Sequence, residues 1–423
     1  MRNVVLAASV SVIALAACGN SSGGSSSPKQ DASAGPDGSS GSSGGSSGGS
    51  SGGSSGGSSG GSSGGSSGGS SGGSSGGSSG SSSGGSPGDG SAPMGNTTTA
   101  ASWFPSTMYF NIPVDTAPVD TNSSAVISAW VANGGWGQGH VQVDFSIDVY
   151  YADATSVHAP FTQNGMLALP DSDIPTTVPI APGLTAATSP APGFECAAGG
   201  STSCDDCHYL VVDPSNKQLI EVYGATTDGT SFSTTTDCGR SVAIWPFDKA
   251  YLGNLRGDVC TSADASGGLM APTLFTVEEV AAGHIDHAIR FILPNAAIEN
   301  MQYVRPVTHG TGGSTWAQTN GVPYGGRFRL KSTFVVSTFT ASAQVVLAAM
   351  KKYGIILQDG GSIALTAKSD AFSTLKWANY LGSHDLEGPQ PTDFEMVDAS
   401  YGTDMESSTP PHNFTSYNCV RNP

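Results

Sequence analysis

A long run of serine and glycine separates the beginning of this chain from the rest of it. The chain has 423 residues, and from Ser39 to Ser86 it consists of Ser and Gly alone, mostly as a repeated Ser-Ser-Gly-Gly unit. A segment without apolar side chains cannot bury enough surface to offset the entropy that folding costs. The repeat therefore predicts a disordered linker over residues 18–100 and confines a folded domain to residues 101–423.

The first residues have the order of an export signal. Met1-Arg2-Asn3 is a short positive start, and residues 4–17 are an apolar run too short to span a bilayer. The run ends Leu15-Ala16-Ala17-Cys18, which resembles the lipobox of bacterial lipoproteins. The resemblance implies a signal peptide over 1–17, a lipid anchor on Cys18 and, with Gly19 next, an outer-membrane or surface location. The alternative is an ordinary secretory signal with a chance cysteine.

The charge excludes some partners. The formal net charge is -17, whereas nucleic acid and anionic lipid both select basic surfaces. We expect no nucleic-acid partner, membrane contact only through the anchor on Cys18, and a monomer.

Short β-branched runs between Pro, Gly, Asn and Asp predict strands over most of the domain. The fold class we expect is all-β, a jelly-roll-like double-sheet sandwich with one packed helix and one short helix. The predicted strands are Val141–Tyr151, Tyr209–Asp213, Leu219–Tyr223, Ser241–Trp245, Ile285–Leu293, Arg327–Ser337 and Ile363–Ala367.

Two segments carry helix signals. Thr276 and Glu279 have the spacing of a capping box, and Gly283 can end the helix. The segment from Ala341 to Tyr353 is apolar on one side and is followed by Gly354.

Alternation along three predicted strands places polar residues on shared faces. Arg327, Arg329 and Lys331 share one face, as do Asp286 and Arg290, and as do Glu221 and Tyr223. One interpretation is the solvated outside of a sandwich. The other is a concave cleft that binds sugars.

Six cysteines remain besides Cys18, and an exported protein favours disulfides among them. The candidates are Cys196, Cys204, Cys207, Cys238, Cys260 and Cys419. Cys204, Cys207 and His208 also match the C-x-x-C-H pattern of covalent haem. We disfavour haem, and a zinc site built on the same cysteines, and expect no cofactor.

Other metal and nucleophile motifs are weak. The sequence contains no H-E-x-x-H, G-x-S-x-G or P-loop. His284 and Asp286 could supply two metal ligands from one strand face, too few for a site, so we expect no metal. His287 shares its face with apolar residues, which predicts a buried structural histidine.

Several blocks of sequence resemble an uncharacterised family of exported bacterial β-rich proteins. They are Asp206–Asp213, Leu219–Tyr223, Thr261–Ala265, Glu279–Phe291 and Lys351–Gly361, and the likeness extends over residues 111–398. The Glu279–Phe291 block is its most specific part. The family usually has another residue at the position of Cys207 but keeps His208, which argues against haem. The resemblance implies an exported, β-rich, single-domain protein and no known activity.

The function we expect is a surface-anchored carbohydrate-active enzyme acting on an extracellular polysaccharide. Glycoside hydrolysis needs two carboxyl groups, one with a raised pKa. Glu221 is the first candidate because its strand is otherwise apolar, and Asp286, Asp264 or Asp206 is its partner. Elimination on a uronate polymer would instead use His208 or Tyr223 for proton transfer. The basic side chains that would bind the substrate are Arg290, Arg327, Arg329 and Lys331.

Two alternatives stay open. One is a non-catalytic glycan-binding or adhesive lipoprotein that stacks Trp130, Trp136 or Trp316 on sugars. The other is a structural envelope protein.

Overall fold

A computed structural model describes residues 99–162, 173–180, 208–227, 232–234, 241–249, 251, 253, 255–258, 260, 262–310, 321–401 and 412–413. The predicted signal peptide, Cys18 and the Ser/Gly run lie outside these residues. All described residues belong to one compact unit. No helix among them is long and apolar enough to cross a membrane.

Strands dominate the described residues, which confirms the prediction of a mostly β protein. The α-helices are α1 (Ser123–Ala132), α2 (Val277–Ala282) and α3 (Ala341–Lys352). The first strands are β1 (Val143–Ile147), β2 (Val149–Tyr151), β3 (Val157–Thr162), β4 (Thr177–Ile180), β5 (His208–Asp213), β6 (Gln218–Tyr223), β7 (Ala225–Thr227), β8 (Phe232–Thr234) and β9 (Ser241–Pro246). The others are β10 (Ile289–Leu293), β11 (Ile298–Tyr303), β12 (Val322–Tyr324), β13 (Arg327–Leu330), β14 (Ile355–Gly360), β15 (Leu365–Lys368), β16 (Phe394–Met396) and β17 (His412–Asn413).

Both predicted helices form with the expected ends. Thr276 accepts a hydrogen bond from the backbone of Glu279, whose side chain bonds back to the N-cap, and Gly283 follows in the left-handed conformation. Thr340 caps α3, and Gly354 beyond its end has φ +76°. Helix α1 was not predicted, because it has no charged residue and no side-chain cap.

The largest sheet has six strands in the order β1-β15-β10-β14-β13-β16. It is mixed: β1 runs parallel to β15 and β10 parallel to β14, while the other pairs are antiparallel. A jelly roll is built from antiparallel strands, so the parallel pairs depart from the arrangement expected from the sequence. The finer jelly-roll assignment stays a prediction.

A second sheet, β2-β5-β6-β9, is buried on both faces. One face contributes Leu219 and Trp245 to a core that also contains Ile356 of the six-stranded sheet. The opposite face contributes Ile220 and Val222 to a core shared with β3 and β4. The third core lies on the other side of the six-stranded sheet, against the helices. The polar face predicted for β6 is therefore enclosed rather than solvated.

Two small sheets complete the topology, β12-β11-β17 and β4-β3-β8-β7.

Three predicted strands have different limits. Val141–Tyr151 divides at Asp148 into β1 and β2, which belong to different sheets. The strand predicted from Ile285 begins at Ile289, and the one predicted to reach Ser337 ends at Leu330. Asp286 and His287 thus precede β10, and the prediction that Asp286 and Arg290 share a strand face is wrong.

Candidate functional site

The carboxylate of Glu221 is enclosed between the sheets. The residue is 0% exposed. Its Oε1 accepts hydrogen bonds from the backbone N–H groups of Met270 (2.9 Å) and Ala271 (2.8 Å), and Oε2 accepts one from Nε1 of Trp245 (3.0 Å). Burial raises the pKa of Glu221 to about 7, although the three donors act in the opposite direction. The group joins β6 to the 3-10 helix Ala271–Thr273.

Asp264 and Arg290 form a buried ion pair. Nε of Arg290 donates to Oδ2 of Asp264 at 2.7 Å, and both residues are nearly inaccessible. Nη2 of Arg290 donates to Asp359 (2.8 Å) and Nη1 to Thr366 (3.1 Å), while Ser266 donates to Oδ1 of Asp264. Arg290 is therefore paired with carboxylates of the protein itself and is not available to a substrate on the surface.

Asp286 lies away from these groups, in the exposed segment after α2. Its carboxylate contacts His284 (2.9 Å) and Lys352 (3.8 Å) and is 60% exposed. Glu221, in contrast, is completely buried and accepts hydrogen bonds from internal donors. Only one of the two carboxyl groups is therefore accessible, whereas glycoside hydrolysis needs both at the substrate.

His208 and Tyr223 are opposite each other on β5 and β6. Their ring centroids are 5.3 Å apart. Nε2 of His208 lies 3.1 Å from the carbonyl of Ala263, and because a carbonyl only accepts, this nitrogen carries the proton. Asp206, Cys204 and Cys207 lie outside the described residues.

The arginines of β13 hold the segment that precedes α1. Arg327 donates to the carbonyls of Tyr109, Ile112 and Tyr353 at 2.6–2.8 Å. Arg329 contacts Glu395 at 2.7 Å and also donates to backbone carbonyls of that segment. Burial lowers the pKa of Arg327 to about 9. Lys331 follows the strand and donates to the carbonyl of Thr392.

The tryptophans proposed to stack on sugars are core residues. Trp130 and Trp136 are 0% and 2% exposed and meet edge to face, with ring centroids 4.6 Å apart. The prediction that they bind a glycan is wrong for this reason. Trp316 lies outside the described residues.

Cys260 is the one cysteine that the described residues include. It is buried. The other candidates lie outside the described residues, so the pairing stays a prediction.

His287 is buried against Glu279 (3.1 Å) and the carbonyl of Ala288, as expected of a structural histidine.

A different group of side chains comes together at the surface. His140, His384 and Glu387 place one ligand atom each within 4.8 Å of one another. Oε1 of Glu387 lies 3.2 Å from Nε2 of His140 and 2.6 Å from Nδ1 of His384. The three side chains are 32%, 58% and 46% exposed in that order. We call these three residues the His/Glu cluster.

The loop before His140 is anchored by Trp136. Its indole nitrogen donates to the carbonyl of Pro389 at 2.9 Å, and Val141, directly after the histidine, is completely buried. The imidazole is thereby held against the segment that carries His384 and Glu387.

A tight turn supplies the other two ligands. The backbone N–H of Glu387 donates to the carbonyl of His384 (3.2 Å), and Oδ2 of Asp385 accepts from the N–H of Gly382 (2.8 Å). Leu386, which lies between the two ligands in the sequence, is completely buried. The turn is therefore fixed from below while His384 and Glu387 project outward.

The cluster fits a divalent transition-metal ion. Ligand atoms around tetrahedral Zn²⁺ are about 3.3 Å apart, given bonds near 2.0–2.1 Å. The contact from His140 to Glu387 has this length, and the shorter one from His384 would lengthen when a metal replaces its shared proton. In addition, Nε2 of His140 is shielded from solvent, and its contact with Glu387 does not have the geometry of a hydrogen bond.

This cluster was not predicted from the sequence. Its local signal is the spacing of His384 and Glu387, three residues apart in a Gly-flanked turn. His140 comes from a distant part of the chain, and no local pattern connects it to them.

No family model matches the sequence, and neither a curated protein nor a solved structure matches it.

Proposed function

We propose that this chain is an exported, lipid-anchored surface protein that binds a divalent transition-metal ion through the His/Glu cluster. The observation that carries the proposal is the convergence of three ligand atoms, two from imidazole and one from carboxylate, within 4.8 Å. The export signal and the lipobox-like sequence at Cys18 support the location.

The donor set favours Zn²⁺. Two imidazole nitrogens and one carboxylate oxygen are borderline ligands, typical of zinc sites that keep one position open. A metal without redox chemistry also suits the oxidising compartment that we expect for an exported protein. When bound, the ion would supply Lewis acidity at the surface, and His140, His384 and Glu387 would hold it.

Action on a polysaccharide stays a prediction. Among the residues assigned to it, Glu221 and Asp264 are buried with internal partners, and Arg290 and Arg327 donate to the protein itself. Their contacts support a structural role. The three side chains of the His/Glu cluster are, in contrast, partly exposed.

The test is calorimetric titration of ZnCl₂ into the full mature chain after EDTA treatment and dialysis. We expect one binding event that is lost in His384→Ala and in His140→Ala. His284→Ala is the matched control, since His284 is an equally exposed histidine that also contacts a carboxylate, Asp286. Its titration should equal that of the wild type. Equal zinc binding by His384→Ala and the wild type, or loss in His284→Ala, would refute the site.

A further inference from the structure

A buried histidine and a buried glutamate meet between α2 and the segment that leads into β10. Nε2 of His287 lies 3.1 Å from Oε1 of Glu279, and Nδ1 lies 2.8 Å from the carbonyl oxygen of Ala288. The other oxygen of Glu279 accepts hydrogen bonds from the backbone N–H (3.0 Å) and the hydroxyl (3.1 Å) of Thr276. One carboxylate therefore closes the capping box of α2 and also ties the helix to the chain before β10.

The partners of the imidazole show where its protons lie. A backbone carbonyl only accepts, so Nδ1 of His287 carries a proton. If the ring were neutral, the lone pair of Nε2 would face a carboxylate oxygen of Glu279, and the two would repel each other. A second proton, between Nε2 and Oε1, makes this contact a charge-assisted hydrogen bond. The distance of 3.1 Å is that of a hydrogen bond, so the geometry requires the second proton.

Each carboxylate in the first turn of α2 has a cationic partner from another part of the chain. Glu278 pairs with Lys368 at 3.6 Å, and Glu279 pairs with His287. A lysine side chain is charged throughout the neutral pH range, whereas an imidazole titrates within it. A modest rise in pH can therefore remove the cation of Glu279 but not that of Glu278.

The surroundings favour the protonated form of His287. Burial by itself would lower the pKa of the imidazole, but the charge of Glu279 and the hydrogen bonds to Glu279 and Ala288 raise it above the ordinary value of 6.5. The charge of Asp286 acts in the same direction. The hydroxyl of Tyr151 on β2, which lies near the carboxylates of α2, stays neutral because burial raises its pKa. The folded protein thus keeps a proton on this pair at a pH at which the unfolded chain has released it.

We propose that His287 and Glu279 form a pH-sensitive latch, which holds α2 in place while the proton is bound and loosens the helix when the proton is lost. The stabilisation is fully present below about pH 6.5 and is lost as the pH rises through the higher pKa of the folded state. Loss of the proton leaves the carboxylate of Glu279 buried without its cation. Val277 and Val280 of α2 belong to the core on the helix side of the six-stranded sheet, so an alkaline medium loosens the cover of this core.

The experiment follows the full mature chain from pH 6 to pH 9 with two readouts. NMR of the chain with isotopically labelled histidine reports the protonation of each ring nitrogen of His287. Amide hydrogen exchange, corrected for the intrinsic rate at each pH, reports the protection of the N–H groups of Val280 and Gly283 in α2, and the amides of β6 serve as the reference for opening of the whole fold. We expect a doubly protonated His287 at pH 6. The protection of α2 should then fall about tenfold for each unit by which the measured pKa of His287 exceeds 6.5.

Glu279→Gln is the decisive variant. Glutamine also closes capping boxes, so its oxygen can accept from Thr276 while its NH₂ group donates to Nε2 of a neutral His287. We expect the pKa of His287 to fall below 6.5 in this variant, and the protection of α2 no longer to decrease as the pH rises. Glu278→Gln is the matched control, because it removes a carboxylate from the same turn and leaves the latch in place. Its pH dependence should equal that of the wild type.

Three results would overturn the latch. They are a singly protonated His287 at pH 6, a protection of α2 that changes with pH no more than that of β6, and an equal pH dependence of α2 in Glu279→Gln and the wild type. None of these measurements involves the His/Glu cluster, so the proposed metal site stands or fails separately in the zinc titration.

Discussion

The indole nitrogen of Trp245 donates a hydrogen bond to Oε2 of Glu221 across two neighbouring strands, at 3.0 Å. The other oxygen of the same carboxylate accepts two backbone N–H groups. Glu221 thus links β6, β9 and the start of a 3-10 helix. These contacts and the full enclosure of the carboxylate support a structural role for Glu221.

Glu221→Gln should destabilise the protein. The glutamine oxygen can accept from Met270 and Ala271, but the amide NH₂ then faces the N–H of Trp245, and that donor loses its acceptor. We expect the free energy of unfolding at pH 5 to fall by about 1–3 kcal/mol. Urea unfolding measures it, with Glu278→Gln as control because Glu278 is partly exposed and pairs with Lys368 at 3.6 Å. Equal stability of Glu221→Gln and the wild type would contradict the structural role.

The stability of the wild type should depend on the proton of Glu221. Burial raises the pKa of this carboxyl to about 7 from an ordinary value of 4.5. Between these two pH values the folded state keeps a proton that the unfolded chain has released, so the free energy of unfolding decreases as the pH rises. The decrease should be on the order of 3 kcal/mol and should level off above pH 7.

Urea unfolding of the wild type and of Glu221→Gln at pH 5, 6, 7 and 8 isolates this effect. Glutamine does not titrate, so the stability difference between the two proteins should be largest at pH 5 and should shrink toward pH 8. A difference that is constant over this range would show that Glu221 is ionised throughout.

Arg327→Lys should loosen the segment before α1. The guanidinium reaches the carbonyls of Tyr109, Ile112 and Tyr353 at once, whereas one ammonium nitrogen cannot span all three. We expect a loss of about 2–4 kcal/mol in the free energy of unfolding, together with faster amide hydrogen exchange around residues 109–114. Lys331→Arg, at a position with a single carbonyl contact, should change neither value. Unchanged exchange in Arg327→Lys would contradict the assignment.

Trp136→Phe should weaken zinc binding by positioning His140 less well. The substitution keeps a ring in the core but removes the hydrogen bond to Pro389. We expect about tenfold weaker zinc affinity and a stability loss of about 1 kcal/mol. Trp377→Phe is the matched control, because Nε1 of Trp377 also donates to a backbone carbonyl, that of Lys368, at 2.9 Å. It should lose similar stability with no change in zinc affinity; equal effects of both variants on zinc would refute a positioning role.

The helices α2 and α3 were predictable because their signals act over three or four residues. Thr276, Glu279 and Gly283 define both ends of α2 without help from the rest of the chain. Helix α1 has no side-chain cap at its N-terminus and is stabilised by burial of Trp130 among aromatic residues from distant strands. Its existence depends on packing, which a local pattern does not contain.

The alternation predicted along β6 is confirmed: Ile220 and Val222 face one core, and Leu219 faces the other. The environment of the polar face was not predictable. Whether Glu221 meets water or a second sheet depends on which layer covers β6, and the covering strands come from other parts of the chain.

The sequence by itself determined the strand-rich character of the domain and the two capped helices, because each depends on neighbouring residues. The export signal and the disordered linker stay predictions. Only the tertiary structure decided that Val141–Tyr151 divides between two sheets, that the predicted catalytic carboxylates of Glu221 and Asp264 are enclosed, and that His140 lies beside His384 and Glu387. These features arise from contacts between segments far apart in the chain. Such contacts form when layers pack to bury apolar surface, and short-range sequence patterns do not specify which segments meet.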